Sequence, residues 1–257
     1  MKAMVLAAGL GTRLRPLTND RPKALVEVCG RTLLEITLTR LRDFGIHDVI
    51  INVHHYADMV MDRVKAAGNF GMRIEFSRED VLLDTGGGLK KAAWFLSESG
   101  DLSGNPSASA AKAEPFILHN VDVISNIDLE RMVEAHKQSG ALATLAVQGR
   151  KTSRYLLFND NLQLCGRRLV KEDKTEIVRS SQSMSELAFA GIHVISPRIF
   201  PLLTEEGVYS IIPAYLRLAA QGEKIQSFRA DEYYWRDLGK PENIQQAEQD
   251  IKAGIIK

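Results

Sequence analysis

The residues best equipped for chemistry crowd together near the start of the chain. Gly9-Leu-Gly11-Thr12-Arg13-Leu14 follows a short apolar run, and Arg15, Arg21 and Lys23 come soon after, so several cations fall within residues 13–23. Glycine lets the main chain come close to an anion, while amides and guanidinium groups supply donors in a fork geometry. The chemistry open to such a set is to cradle a triphosphate. Two better-known phosphate loops do not fit. Leu14 stands where a dinucleotide fingerprint needs its third glycine, and no acid closes a second strand about 20 residues on. A Walker loop needs Gly-Lys-Ser/Thr after its spacer, and none follows Gly9. The residues alone leave two readings open: the triphosphate cradle, or a strand-to-helix turn that uses glycine for geometry while its arginines solvate a surface.

The longer pattern is more specific. Leu6-Ala-Ala-Gly-Leu-Gly-Thr-Arg-Leu-Arg-Pro-Leu-Thr18, followed by Arg21-Pro-Lys-Ala-Leu25, resembles the signature of the sugar-phosphate nucleotidyltransferases, the nucleotide-sugar pyrophosphorylases. The resemblance implies that a sugar 1-phosphate oxygen attacks the α-phosphorus of a nucleoside triphosphate and releases pyrophosphate. Positioning and charge neutralisation should then dominate catalysis. It further implies that Ala8, Gly9, Gly11 and Thr12 bind the nucleotide. Arg13 would meet the pyrophosphate leaving group, and Lys23 would neutralise charge between the α-phosphate and the incoming sugar phosphate.

Two acids fit the same chemistry. Asp122 closes the strand-like Phe116-Ile-Leu-His-Asn-Val-Asp122, and Asp237 sits in Trp235-Arg-Asp-Leu-Gly239. They are far apart in sequence, so nothing in it shows that they meet, and either one alone is as readily a cap or a turn residue. The resemblance implies that both hold a catalytic Mg²⁺, an ion that takes one or two carboxylates together with phosphate oxygens. Val121 replaces the glycine common before the first of these aspartates, which puts a β-branched side chain beside the metal position.

Base and sugar contacts are implied in the same way. In Asp84-Thr85-Gly-Gly87-Gly88-Leu89 the glycines are expected to offer bare backbone and amides to the base, with Thr85 on the sugar-phosphate side. Asn120 should face the sugar phosphate or the base, and Gly191, in Phe189-Ala-Gly-Ile-His193, should let the sugar approach. The spelling Leu-Asp-Thr-Gly-Gly-Gly, with Asn52 to His54 on the strand end before it, is most similar to a compact subgroup. That subgroup makes UDP-N-acetylmuramic acid from N-acetylmuramate 1-phosphate in cell-wall recycling. Mannose-1-phosphate guanylyl transfer is the second reading and cytidylyl transfer to phosphocholine a more distant third. A regulatory subunit that keeps the fold without the activity is the alternative from another class. The Glu-Lys-Pro signature that often grips the sugar phosphate is missing; only Val170-Lys171-Glu-Asp-Lys174 stands near its place, so neither lysine is assigned that task. His54 and His55 point to opposite faces of a strand and make no metal pair. Tyr233, Tyr234 and Trp235 read as packing around Asp237.

These groups need a scaffold, and the hydrophobic pattern supplies one. Ala3–Ala8, Val49–Val53, Met72–Phe76, Phe116–His119, Thr144–Val147 and Ala190–Ile195 read as strands. Leu33–Phe44, Ala57–Ala67, Lys90–Leu96, Ile211–Ala220 and Glu242–Lys252 read as helices. Alternation of this kind predicts an α/β fold with parallel βαβ units, and ligands bound at the carboxyl ends of the strands. With the resemblance, the expected fold is a three-layer, Rossmann-like, mixed and mostly parallel sheet with helices on both faces. One domain should span residues 1–257, with residues 97–115 a surface loop. The 257 residues carry 33 Lys+Arg against 32 Asp+Glu, a net charge of +1, which argues against a strongly basic nucleic-acid binder. Cys29 and Cys165 form no framework, and no apolar run is long enough to span a membrane. A cytoplasmic protein without signal peptide or appended β-helix is therefore expected. Its partners should be a nucleoside triphosphate and a sugar 1-phosphate, with no nucleic acid and no membrane, in a monomer or homodimer.

Overall fold

Ala3, Met4 and Val5 are all buried, so the first strand, β1 (Lys2–Leu6), is covered on both faces, as a central strand of a parallel sheet must be. The computed structural model of the chain describes residues 1–97 and 114–256. After β1 come the paired short strands β2 (Glu27–Val28) and β3 (Arg31–Thr32), then α1 (Leu33–Asp43), β4 (Asp48–Val53), α2 (Ala57–Ala66) and β5 (Arg73–Arg78). The N-cap of α1 is Thr32, whose hydroxyl accepts the Glu35 N–H at 3.1 Å. Next are α3 (Asp84–Lys91) after the two helices named, α4 (Ala93–Leu96), β6 (Phe116–Asn120), β7 (Val123–Ser125), α5 (Leu129–Ser139) and β8 (Ala143–Gln148). The remainder holds β9 (Arg154–Phe158), β10 (Leu164–Leu169), β11 (Lys174–Ile177), β12 (Ser185–Ile195), α6 (Ile211–Ala220), β13 (Ile225–Arg229), β14 (Trp235–Asp237) and α7 (Pro241–Lys252).

Among the described residues the main sheet has ten strands and runs β11-β10-β9-β12-β6-β1-β4-β5, with β8 joined to β12 and β13 joined to β8. The neighbours β6, β1, β4 and β5 are mutually parallel, while β12 runs antiparallel to β6. Alternation along each strand sends Ala3, Val5, Val49 and Ile51 into one core and Met4 and Ile50 into another. Leu34 and Leu38 of α1, with Val60 of α2, cover the first core. Leu89 of α3, Phe95 of α4 and Tyr215 of α6 cover the second. The mixed Rossmann-like sheet with helices on both faces is thus the one expected, and its parallel strands are those that lead to the candidate site.

One helix differs from expectation. The helix expected to begin at Lys90 begins earlier, because α3 starts at Asp84 and carries Gly86, Gly87 and Gly88 inside it. Glycine is a poor helix former, and tertiary packing decides here. A Cβ on Gly86 would lie 2.3 Å from the Tyr209 ring, and one on Gly87 would lie 2.4 Å from the Gly207 carbonyl oxygen. Of the expected surface loop at 97–115, residues 98–113 lie outside the described residues.

Candidate active site

Parallel pairing puts Leu6 of β1 opposite Asn52 of β4 on one side and opposite Asn120 of β6 on the other. The carboxyl ends of three strands therefore meet, and a cavity of about 440 Å³ opens there. Ala7, Ala8, Gly9, Lys23, Asn52, Thr85, Asn120 and Asp122 line it. Of the sequence-predicted residues, Ala8, Gly9, Lys23, Thr85, Asn120 and Asp122 thus share a single space, while Gly11, Thr12, Arg13, Gly191 and Asp237 are not among its lining.

The cradle turn is shaped by its glycine. Gly11 has φ +64°, and its carbonyl accepts the Thr18 hydroxyl at 2.9 Å. A Cβ there would lie 3.0 Å from both the Lys23 Cβ and the Thr18 Cγ2, so glycine is demanded twice over. Thr12 and Arg13 follow in a one-turn helix and remain exposed. Lys23, in a second such turn behind Pro22, is 9% exposed, and its Nζ forms an ion pair with Asp122 Oδ2.

The two aspartates are brought together by a small ladder. β14 pairs antiparallel with β7, with Asp237 opposite Val123, and the Leu238 N–H donates to the Asp122 carbonyl at 2.7 Å. Asp237 Oδ1 accepts the Gly239 N–H at 2.6 Å. A Cβ on Gly239 would sit 2.6 Å from Asp237 Oδ1 and 2.7 Å from Arg13 Nη2, so Arg13 and Asp237 converge on that glycine. Val121 is buried, and its N–H donates to the Leu6 carbonyl at 3.2 Å. The β-branched residue is accommodated in the core while Asp122 stays half-buried at the cavity.

Gly191 lies in β12 where the pairing register shifts between Phe189 and His193. Its φ is +76°, and a Cβ would lie 3.0 Å from Asn120 Nδ2. Gly191 therefore adjoins Asn120 without lining the cavity. Gly87 and Gly88 lie inside α3. The N–H groups of Gly86 and Gly87 both donate to the Tyr209 carbonyl, at 2.9 and 3.2 Å, and a Cβ on Gly88 would lie 2.8 Å from Glu79 Oε1. Their bare faces serve helix packing, and none of the three glycines lines the cavity. Thr85 does line it, while its Oγ1 accepts the Ile211 N–H at 3.0 Å. Lys171 and Lys174 are exposed about the β10–β11 turn.

Several residues around the site carried no sequence signal. Glu79, 2% exposed, accepts Asn52 Nδ2 at 2.7 Å and the Leu83 N–H at 2.9 Å, while Asn52 Oδ1 accepts the Ala7 N–H at 2.7 Å. This trio ties the ends of β1, β4 and β5 to the start of α3. Arg40 of α1 reaches His119 Nε2 at 3.2 Å and donates to Ser125 Oγ at 2.8 Å, bracing both strands that flank Asp122. Burial pushes Arg40 down to about 10; burial and then the Arg40 charge push His119 down to about 3, so that imidazole is neutral. Arg150, after β8, lies 3.7 Å over the Trp235 ring. Burial lowers its pKa, and the Asp237 charge partly opposes that shift.

Residues 2–254 match the nucleotidyl transferase family. The chain belongs to that family. The activity this supports is nucleotidyl transfer to a sugar 1-phosphate. The chain is 33% identical to the N-acetylmuramate alpha-1-phosphate uridylyltransferase of Caulobacter vibrioides over 93% of its own length and 92% of that protein. It is 30% identical to mannose-1-phosphate guanyltransferase beta-B of Xenopus laevis over 95% of its length, but spans only 62% of that protein. Among solved structures, a putative glucose-1-phosphate thymidylyltransferase from Bacillus anthracis shares the fold. Its TM-score is 0.75 at 18% identity, covering 97% of this chain and 94% of that one. In this nucleotidyl transferase, no helix of the described residues is long and apolar enough to cross a membrane.

Proposed function

We propose that this nucleotidyl transferase moves the uridylyl group of UTP onto N-acetylmuramate 1-phosphate, releasing pyrophosphate. The observation that carries the reading is the convergence of Lys23, Asp122 and Asn120 on one cavity, with Asp237 and Arg13 meeting beside it. The uridylyl assignment has a second support: the N-acetylmuramate-specific relative matches along nearly its whole length, whereas the guanyltransferase has over a third of its length unmatched.

In this reading a phosphate oxygen of the sugar substrate forms a bond to the α-phosphorus as the bond to the bridging oxygen of pyrophosphate breaks. The β1 end and Gly11 turn hold the triphosphate, and Arg13 takes up charge on the departing pyrophosphate. Lys23, already paired with Asp122, is placed to neutralise the α-phosphate and its attacker. Asn120 and the backbone at Gly191 orient the acceptor. Asp122 and Asp237 fit a hard divalent ion. Asp122 lines the cavity and Asp237 is tied beside it through the Leu238 N–H bond to the Asp122 carbonyl, giving two carboxylates of the kind such an ion takes together with phosphate oxygens. Mg²⁺ held by Asp122 and Asp237 would supply charge neutralisation at the phosphates.

Pyrophosphate release measured for each nucleoside triphosphate against N-acetylmuramate 1-phosphate, mannose 1-phosphate, glucose 1-phosphate and phosphocholine, with Mg²⁺, tests this. UTP with N-acetylmuramate 1-phosphate should be fastest. Faster release from GTP with mannose 1-phosphate would transfer the assignment to guanylyl transfer, and no release from any pair would favour a regulatory subunit.

A further inference from the structure

Arg150 is held in a way that its neighbours do not explain. Gly149 separates it from β8, and the Gly149 N–H is fixed by Asp231 Oδ1 at 2.6 Å. The guanidinium lies flat enough over Trp235 to bring its centre 3.7 Å from the ring centroid, and Nη2 donates to the Phe189 carbonyl at 2.7 Å. Trp235 Nε1 donates to the next carbonyl, Ala190, also at 2.7 Å. The two stacked side chains therefore dock side by side on β12, at its register shift and immediately before Gly191.

Arg150 feels the Asp237 charge but is not in direct contact with a carboxylate among the described residues. Arg217 and Arg236 each clamp a carboxylate, but among the described residues Arg150 has no ion pair, and its Nε is buried without a hydrogen-bond partner. Arg150 is partly buried, so its guanidinium has given up some of its water, and stacking on an aromatic face offsets only part of that cost. Stacking also keeps the planar fork rigid, so little rotamer freedom remains to be lost when an anion arrives. The position says which anion. Arg13 meets the Asp237 segment at Gly239, whereas Arg150 meets it at Trp235, on the side where Gly191 adjoins Asn120.

We propose that Arg150, braced by Trp235, receives an oxyanion of the acceptor sugar, either its 1-phosphate or a carboxylate carried on the sugar. This deepens the transferase reading and rests on it for the word acceptor. The shared chemistry is a bidentate guanidinium–oxyanion contact.

The chain has two tryptophans, so Trp94→Phe leaves Trp235 as the sole tryptophan reporter. Its emission is titrated with glucose 1-phosphate, glucuronate and neutral N-acetylglucosamine. A saturable response to an anionic sugar but not to the neutral one is expected, and the responding anion assigns phosphate or carboxylate. Arg150→Met should weaken that response at least tenfold. Arg150→Gln, which keeps a donor for the Phe189 carbonyl but no charge, should do the same and separates charge from a mere strand staple. In steady-state kinetics with the fastest substrate pair, both variants should raise the acceptor KM at least tenfold and leave the nucleotide KM within twofold. No response to either anion, the same response to all three sugars, or parallel rises in both KM values would overturn the proposal. A wild-type protein that releases no pyrophosphate from any pair removes the transferase reading alone, because the fluorescence titration still decides whether Arg150 binds an oxyanion.

Discussion

Asn52 Nδ2 donates to Glu79 Oε1 at 2.7 Å, and both residues are at most 3% exposed, so the Glu79 carboxyl, without a cationic partner among the described residues, is held behind the cavity-lining Asn52 by amides. Removing Asn52 strips the Ala7 N–H of its acceptor and the carboxylate of one of its donors. An orphaned buried polar group costs about 1–3 kcal/mol, and more when charged. Asn52→Ala should therefore lower unfolding free energy by roughly 3 kcal/mol, read as a shift in urea midpoint at constant slope. A loss smaller than that of a surface substitution such as Asn161→Ala would show that water replaces the amide.

Asp122→Asn and Asp237→Asn should each cut turnover by orders of magnitude with an unchanged circular dichroism spectrum. Asp237→Asn should keep the urea midpoint near that of the wild type, whereas Asp122→Asn should lower it, because it leaves the buried Lys23 without its anionic partner. Both acids are only partly buried, so in both variants the fold should survive and the loss of turnover should be in chemistry. Near-normal turnover of Asp122→Asn at saturating Mg²⁺ would sink the metal assignment. Pyrophosphate release against Mg²⁺ concentration is the measurement.

Two glycine substitutions should fail differently. Gly87→Ala drives a methyl group to 2.4 Å from a main-chain oxygen that cannot swing away, so it should destabilise by about 1–3 kcal/mol, the range for overpacking. Gly191→Ala meets movable side chains, Val123 and Asn120, at a φ of +76°. Its expected signature is a raised acceptor KM through displacement of Asn120, together with a smaller loss of stability. Equal stability losses with unchanged KM values would remove Asn120 from the acceptor contact.

Three buried histidines make stability depend on pH. Burial holds His119 and His193 down to about 3 and His136 down to about 4, against about 6.5 in the unfolded chain. Each is neutral when folded, so the unfolded state binds more protons between these values. Their contribution is complete above pH 6.5 and declines as pH falls from there, at about 1.4 kcal/mol per pH unit for each group. Urea midpoints measured between pH 7 and pH 5 should fall accordingly, and His136→Asn should make the fall shallower. An unchanged slope in that variant would mean that His136 takes up its proton in the folded protein.

What the sequence disclosed was what lies close together along it. The Gly11 turn, Arg13 and Lys23 are near neighbours, and the apolar alternation of β1 and β4 announces a central sheet. Asp122 and Asp237 could be named singly, but their approach depends on the pairing of β7 with β14, which local pattern does not encode. Gly86 to Gly88 misled for a related reason: helix propensity disfavours them, and only the distant segment around Tyr209 makes a glycine helix face favourable. Glu79, Arg40 and Arg150 gave no signal, because a lone charged residue reads as surface until the elements that bury it are known.

The β7–β14 ladder also sets the order in which the site comes into being on the ribosome. The cradle is synthesised long before Asp237, which follows it by more than two hundred residues. A nascent chain that has not yet reached Trp235 carries the phosphate turn, Lys23 and Asp122, yet lacks the strand that adds Asp237. Such non-local pairing is slow to form, so Asp237 joins Asp122 only when β14 docks on β7.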